Sequence, residues 1–327
     1  MIYKYLILKF FKQLKDWYFK RNTFSFKNHW KCIVLVPFIL FLLFFNECKK
    51  DAISLTPLNL DVVFFGHKGG GSNSYNNNYI ENTLPSVQDG LKSMNGVEVD
   101  VQMSLDGTLW MFHHADIGEM SCLSNYHHSL ILLKDTEIEK IQVCSGTKQS
   151  RIYKLKELVD YWNSKNEGFA ISMHIKQDFP TDTLNHPLIG GELAYLMKVA
   201  DKLALLFPSI QNLDHIFVEV FNRTFCTKIH ATIPKIKVLL LKAVSFPQQV
   251  DGAVNGGYDG ISSSFDSVLI SASEVKSARD KGFKVLLWTP DTKAEIIQAY
   301  SLKPNHIQTD NMYGAIICEP YYNSVGN

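Results

Sequence analysis

In Val97-Glu98-Val99-Asp100-Val101-Gln102, two carboxylates stand two residues apart between valines. Side chains alternate faces along a strand, so Glu98 and Asp100 share one face and the valines share the other. Such a pair supplies half of a ligand set for a hard divalent cation such as Mg2+ or Ca2+. Ile171-Ser172-Met173-His174-Ile175-Lys176 repeats the alternation and places His174 and Lys176 on one face. His67 ends the apolar run from Val62 and is followed by Lys68 and by glycines 69 to 71, where backbone without a Cβ can approach a phosphate closely. His113 and His114 end a further apolar run. Two histidines can divide the work of general base and general acid, and a cation that neutralises phosphate oxygens would complete a site for cleaving a phosphodiester.

Each of these residues also has a plainer reading. Glu98 and Asp100 could be ion-pair partners of Lys68, Lys176 or Lys242, although burying two carboxylates without a cation is costly. His174 reads as a ligand or as a hydrogen-bonded strand residue. Lys176 reads as a bridge between the acids or as a phosphate contact, and Trp288 as core packing or as a wall of the site. Glu219 is a substitute ligand if it faces inward. His127, His128, His186, His215, His230 and His306 read as loop or surface residues.

The elements that must position these groups follow from short β-rich runs alternating with longer amphipathic stretches. Strands are predicted at Val62–Gly66, Gly96–Gln102, Phe169–Ile175, His215–Val220, Lys237–Leu241, Tyr258–Ser263, Phe283–Thr289 and His306–Thr309. Helical patterns fall between them, among them Thr83–Met94, Gly190–Leu206, Ser273–Lys281 and Lys293–Ser301. Eight strands joined by helices predict an α/β fold, a closed TIM (β/α)8 barrel, whose chemistry gathers at the C-terminal strand ends. The stretch from about Phe112 to Gln149 fits no βα unit and reads as a small insertion after the second strand.

Taken in order, His67-Lys68-Gly69, Glu81-Asn82-Thr83, Gly96 to Val101, and Asp106-Gly107-Thr108-Leu109 leading to His113 resemble the glycerophosphodiester phosphodiesterase family. Gly282-Phe283-Lys284-Val285 leading to Trp288-Thr289, then Gln308-Thr309-Asp310, extend the resemblance over about Asp61 to Ile317. It implies a metal-dependent hydrolase that releases glycerol 3-phosphate and an alcohol from glycerophosphodiesters. It implies His67 and His113 as the acid/base pair, one taking the proton of an attacking glycerol hydroxyl and the other protonating the leaving alkoxide. Glu98 and Asp100 would bind one divalent metal, Glu81 and Asn82 would line the site, and Trp288 would face the substrate glycerol. Lys68 and Lys176 would contact phosphate.

Three positions depart from the family pattern. Lys68 stands where the family has Arg, and a point charge replaces a bidentate fork. His114 stands where the family has Asp after its second histidine, so His113 is chosen over His114 by register alone. His174 stands where the family has its third metal carboxylate, two residues before a Lys; imidazole suits Mn or Zn better than Mg or Ca. Two other functions stay open: a phosphodiesterase acting on lysophospholipid or sphingomyelin-like head groups, and a non-catalytic lipoprotein that binds a phosphoester.

The 327 residues, 46% of them hydrophobic, suffice for one large barrel. Eight of the 33 basic residues fall in residues 1–48 against only Asp16 and Glu47, which leaves the remainder acidic, with 25 basic and 30 acidic residues. That balance argues against a nucleic-acid partner. Ile33 to Phe45 is apolar throughout, interrupted only by Pro37, and ends near Cys48 and a charged tether. It is short for a bilayer-spanning helix and matches the apolar region of a signal peptide. Residues 1–48 thus read as a signal or membrane-anchor segment, with Cys48 placed as a lipoprotein cysteine, 49–60 as a tether and 61–320 as the barrel. An uncleaved anchor is the alternative; either way the barrel lies outside the cytoplasm, tethered to a membrane. Cys122, Cys144, Cys226 and Cys318 show no CxxC spacing, which excludes a zinc ribbon, and one or two unassigned bridges are open to an exported chain.

Overall fold

The computed structural model describes residues 62–318, apart from 74–77, 124–125, 166–167, 208–212, 242–243 and 267–268. The segment predicted as signal or anchor, with Cys48, the predicted tether and Lys242 lie outside the described residues. The strands are β1 (Val63–Gly66), β2 (Gly96–Met103), β3 (Leu109–Met111), β4 (Gln142–Ser145), β5 (Lys148–Arg151), β6 (Tyr153–Lys154), β7 (Ala170–Ile175) and β8 (Ile216–Val220). They continue as β9 (Lys237–Leu241), β10 (Gly260–Ser264), β11 (Lys284–Trp288) and β12 (His306–Thr309). The helices are α1 (Leu84–Gly90), α2 (Asp135–Ile138), α3 (Leu155–Asn163), α4 (Thr181–Leu184), α5 (Glu192–Leu206), α6 (Arg223–Thr232), α7 (Phe246–Gly256), α8 (Ala272–Asp280) and α9 (Lys293–Ser301).

Among the described residues, β1, β2 and β7 to β12 pair in parallel, and β1 bonds to both β12 and β2, which closes the ring. The alternation predicted for β2 sets its packing. Val97, Val99 and Val101 join the main apolar cluster with residues of α3 and α5, while Glu98 and Asp100 take the inner face. Inside, Phe65, Ala170, Phe217, Leu239 and Leu286 form a separate apolar plug below the polar mouth. Register carries the site across strands: Asp100 lies opposite His174, and His174 opposite Glu219. Capping boxes at Ser271 with Glu274 and Thr292 with Glu295 fix the starts of α8 and α9.

The predicted insertion is present. β3 folds back antiparallel on β2, and β4 and β5 form a hairpin of their own. A second apolar cluster that includes Trp110, Phe112, Ile117, Leu130 and Ile138 fills it and reaches Ile80, just before Glu81. A Cys122–Cys144 disulfide, with Cα atoms 5.0 Å apart, ties the loop to the hairpin; Cys226 and Cys318 are buried thiols. His113 and His114 are therefore presented by a segment with its own core. His306 departs from its surface expectation: it is buried inside the barrel, 4.6 Å ring to ring from Phe217, and burial pushes it down to about 3. Position 306 falls on the inner face of β12, where parity decides the environment.

Candidate active site

His67 leaves the end of β1 in a tight turn whose closest approaches fall on glycines. A Cβ on Gly66 would stand 2.1 Å from the Gly69 carbonyl oxygen, and Gly69 and Gly71 take φ of 93° and 94°. The Lys68 and Gly69 amides donate to the Glu98 carboxylate and carbonyl, which pins the turn against β2. His67 Nδ1 lies 2.9 Å from Asp310 Oδ1, and Nε2 lies 3.9 Å from Glu98 Oε2. Burial alone would lower the imidazole, but the Asp310 hydrogen bond and the charges of Glu98, Asp310 and Asp100 raise it to about 9. Asp310 also accepts from the amide and hydroxyl of Ser72, and these donors with His67 hold it below the ordinary aspartate value against burial. Sequence reasoning assigns Asp310 no role; its position just beyond β12, the strand beside β1, is the signal that could have found it.

Glu98 and Asp100 are almost wholly buried at the mouth. Asn82, in a left-handed conformation with φ 56°, clasps Asp100: its Nδ2 donates to Oδ2 at 2.9 Å, and its Oδ1 accepts from the Asp100 amide at 2.9 Å. The other Asp100 oxygen lies 3.0 Å from His174 Nδ1. Burial would raise Asp100, but the bond and charge of His174 hold it well below its ordinary value. Glu98 goes the other way, raised by burial and by the Asp100 charge. Glu98, Asp100 and His174 each offer one donor atom, and those atoms lie within 4.8 Å of one another. Two buried carboxylates and an imidazole so close fit a divalent cation, which would relieve the repulsion that raises Glu98.

The remaining candidates surround that centre. Lys68 is buried with Nζ 3.1 Å from Glu81 Oε1, so the two neutralise each other. His113 and His114 sit ring to ring at 4.8 Å. His113 is pushed down to about 3, by burial first and then by the Lys68, Lys176 and His114 charges, with Asp100 opposing. His114 instead pairs with Glu119 at 2.8 Å, which separates the two histidines by environment as well as by register. Lys176 is buried beside Asp100 and His113 electrostatically, and its Nζ meets Asp178 at 3.3 Å. Trp288 ends β11 half-buried against the plug, with no hydrogen bond to its indole among the described residues. Glu219 does face inward, but Ser172 and Ser262 hydroxyls hold its two oxygens.

The model of the glycerophosphoryl diester phosphodiesterase family matches residues 67–313. The chain belongs to this family. No curated protein matches it. Among solved structures, a glycerophosphoryl diester phosphodiesterase of Silicibacter pomeroyi is similar at 16% identity and TM-score 0.65, over 84% of this chain and 97% of that one. A phosphodiesterase of Oleispira antarctica, in complex with the product sn-glycerol-3-phosphate, is similar at 16% identity and TM-score 0.61, over 81% of this chain and 97% of that one. A family member from Thermotoga maritima is similar at 18% identity and TM-score 0.55, over 77% and 95%. This chain is thus a divergent glycerophosphoryl diester phosphodiesterase family member, a phosphodiesterase on a TIM barrel, with His174 in its candidate metal set.

Proposed function

We propose that the chain hydrolyses glycerophosphodiesters to glycerol 3-phosphate and an alcohol, with one divalent cation held by Glu98, Asp100 and His174. The observation that carries the proposal is the gathering at one mouth of a candidate cation set, Glu98, Asp100 and His174, with His67 held 2.9 Å from Asp310 and 3.9 Å from Glu98, and with His113 facing the Asp100 charge. The surroundings of the two histidines push their proton affinities apart, His67 up, against burial, through Asp310 and His113 down through burial, so His67 is suited to give a proton and His113 to take one, the division that phosphoryl transfer between two oxygens needs. The bound cation would neutralise phosphate oxygens. His113 takes the proton of the glycerol hydroxyl as its oxygen bonds to phosphorus. His67 gives its Nε2 proton to the departing alkoxide as the old P–O bond breaks. Water then opens the cyclic phosphate with the two roles exchanged. Lys68 and Lys176 hold the phosphate, and Trp288 presents an apolar face to the glycerol. The relative that carries sn-glycerol-3-phosphate supports this substrate class.

Export and membrane tethering belong to the same proposal. The basic N-terminal stretch, the apolar run to Phe45 and Cys48 support it, and a Cys122–Cys144 bridge suits an oxidising compartment. Glycerophosphocholine incubated with the protein under Ca2+, Mg2+, Mn2+ or Zn2+ tests the activity. Release of glycerol 3-phosphate that His67→Ala abolishes is the expected result. No turnover with any of the four, and no effect of His67→Ala, refutes it.

A further inference from the structure

A second set of donors stands at the mouth outside the proposed ligand set. Glu81, His113 and His114 each present one donor atom, and these three atoms lie within 4.8 Å of one another. The first set has two carboxylates and one imidazole; this one has two imidazoles and one carboxylate. His114 is oriented from behind: Nδ1 lies 2.8 Å from Glu119 Oε2, while Nε2 lies 3.7 Å from Glu81 Oε1. A carboxylate that accepts the Nδ1 proton fixes the tautomer and turns the Nε2 lone pair towards Glu81, the arrangement that steadies metal-bound histidines. His113 adds a buried Nδ1 that has no hydrogen-bond partner among the described residues.

We propose that Glu81, His113 and His114 form a second cation site, selective for Zn2+ over Ca2+ and Mg2+, with Glu119 as its positioning residue. Imidazole nitrogen favours the borderline cation, and hard alkaline-earth ions prefer oxygen. Three protein ligands leave one position of a tetrahedral zinc open. Lys68 tempers the site, because its Nζ already lies 3.1 Å from Glu81 Oε1 and an entering cation competes with that ammonium. Binding is therefore reversible and weaker than at a structural zinc. Zinc bound here takes a lone pair of His113 and blocks its proton transfer. That inhibition rests on the function proposed above; the binding itself does not.

The test separates the two. Metal-free full chain carrying Glu98→Gln and Asp100→Asn, which disables the first set, is titrated with Zn2+ by equilibrium dialysis and with Co2+ by visible absorption. One Zn2+ and a Co2+ d–d band should persist in this background. Adding His114→Gln should remove both, and adding Glu119→Gln should weaken binding about 10- to 100-fold. Loss of Zn2+ in the parent double variant, or binding unchanged by both His114→Gln and Glu119→Gln, overturns the site. Circular dichroism checks the fold, and Glu119→Gln carries the test if His114→Gln does not fold. In turnover assays Glu119→Gln alone should keep its rate without zinc and need about tenfold more zinc for half-inhibition. An unshifted half-inhibition overturns the inhibitory role, and because binding is read without substrate, failure of hydrolysis leaves the binding result intact.

Discussion

Asp310→Asn is the substitution that tests how the proposed acid is made. His67 stands at about 9, and the Asp310 hydrogen bond is the largest influence opposing burial. The rise from 6.5 to about 9 corresponds to roughly 3 kcal/mol favouring the imidazolium. With an uncharged amide at 310 only the Glu98 and Asp100 charges still oppose burial, and a fall of about two units would leave roughly tenfold less imidazolium at about pH 8. Lost ring orientation adds to this, so the expected drop in kcat is on the order of 100-fold, within the usual range for a general acid. The assay compares glycerophosphocholine with a glycerophosphodiester of p-nitrophenol, whose phenolate leaves without a proton. The choline substrate should lose the full factor and the p-nitrophenyl substrate little. Equal losses on both, or a His67 titration by NMR that does not move, would refute the reasoning. Stability follows the same signs. The raised His67 contributes fully below about 6.5 and loses that contribution as pH climbs through about 9, whereas the lowered Asp310 loses its share as pH falls through its folded value. The Tm gap between wild type and variant should therefore be widest in mildly acid buffer and shrink above about pH 9.

His174→Glu should turn the metal preference from Mn2+ towards Mg2+ or Ca2+, read as the order of turnover across these three ions; an unchanged order refutes a ligand role for His174. Opening the Cys122–Cys144 bridge with Cys122→Ser and Cys144→Ser frees a loop with a sequence separation of 22 and should cost about 3 kcal/mol in denaturant unfolding. Because the insertion carries His113, the proposed proton acceptor, kcat should fall as well, and an unaltered kcat would show that the insertion needs no pin. Gly66→Ala forces a Cβ to 2.1 Å from a backbone oxygen; a loss of about 3 kcal/mol or more, with turnover abolished, is expected, and wild-type stability would contradict the tight turn.

The barrel was readable because its strands speak with period two and its helices with a longer period. All eight strand predictions fall on barrel strands, and Lys237–Leu241 and His306–Thr309 match end for end. Less legible were features set by distance in space. The inner-face parity of His306 and Glu219 appears only once the register is known, and nothing local said that serine hydroxyls would hold Glu219. Asp310 and His67 are 243 positions apart, so their contact depends on the closure of β1 onto β12. Cys122 and Cys144 carried no spacing signal at all, and the insertion's own apolar cluster is what brings them together.

The charges at the mouth show which residue most needs a cation. Glu81 has Lys68, Asp310 has His67 and Ser72, and Asp100 has Asn82 and His174. Glu98 has the Lys68 amide and, at 3.9 Å, the edge of His67. Burial and the Asp100 charge raise it, so without metal its ionised form opposes folding above the unfolded glutamate pKa, the reverse of Asp100. Near neutral pH, Glu98→Gln should then raise the Tm of metal-free protein while sharply weakening divalent binding. Asp100→Asn should lower Tm, because the His174 and Asn82 partners lose their charged acceptor. If both substitutions shift Tm in the same direction in metal-free protein, the unequal charge compensation argued here is wrong, and with it the view that Glu98 is the residue that calls the cation in.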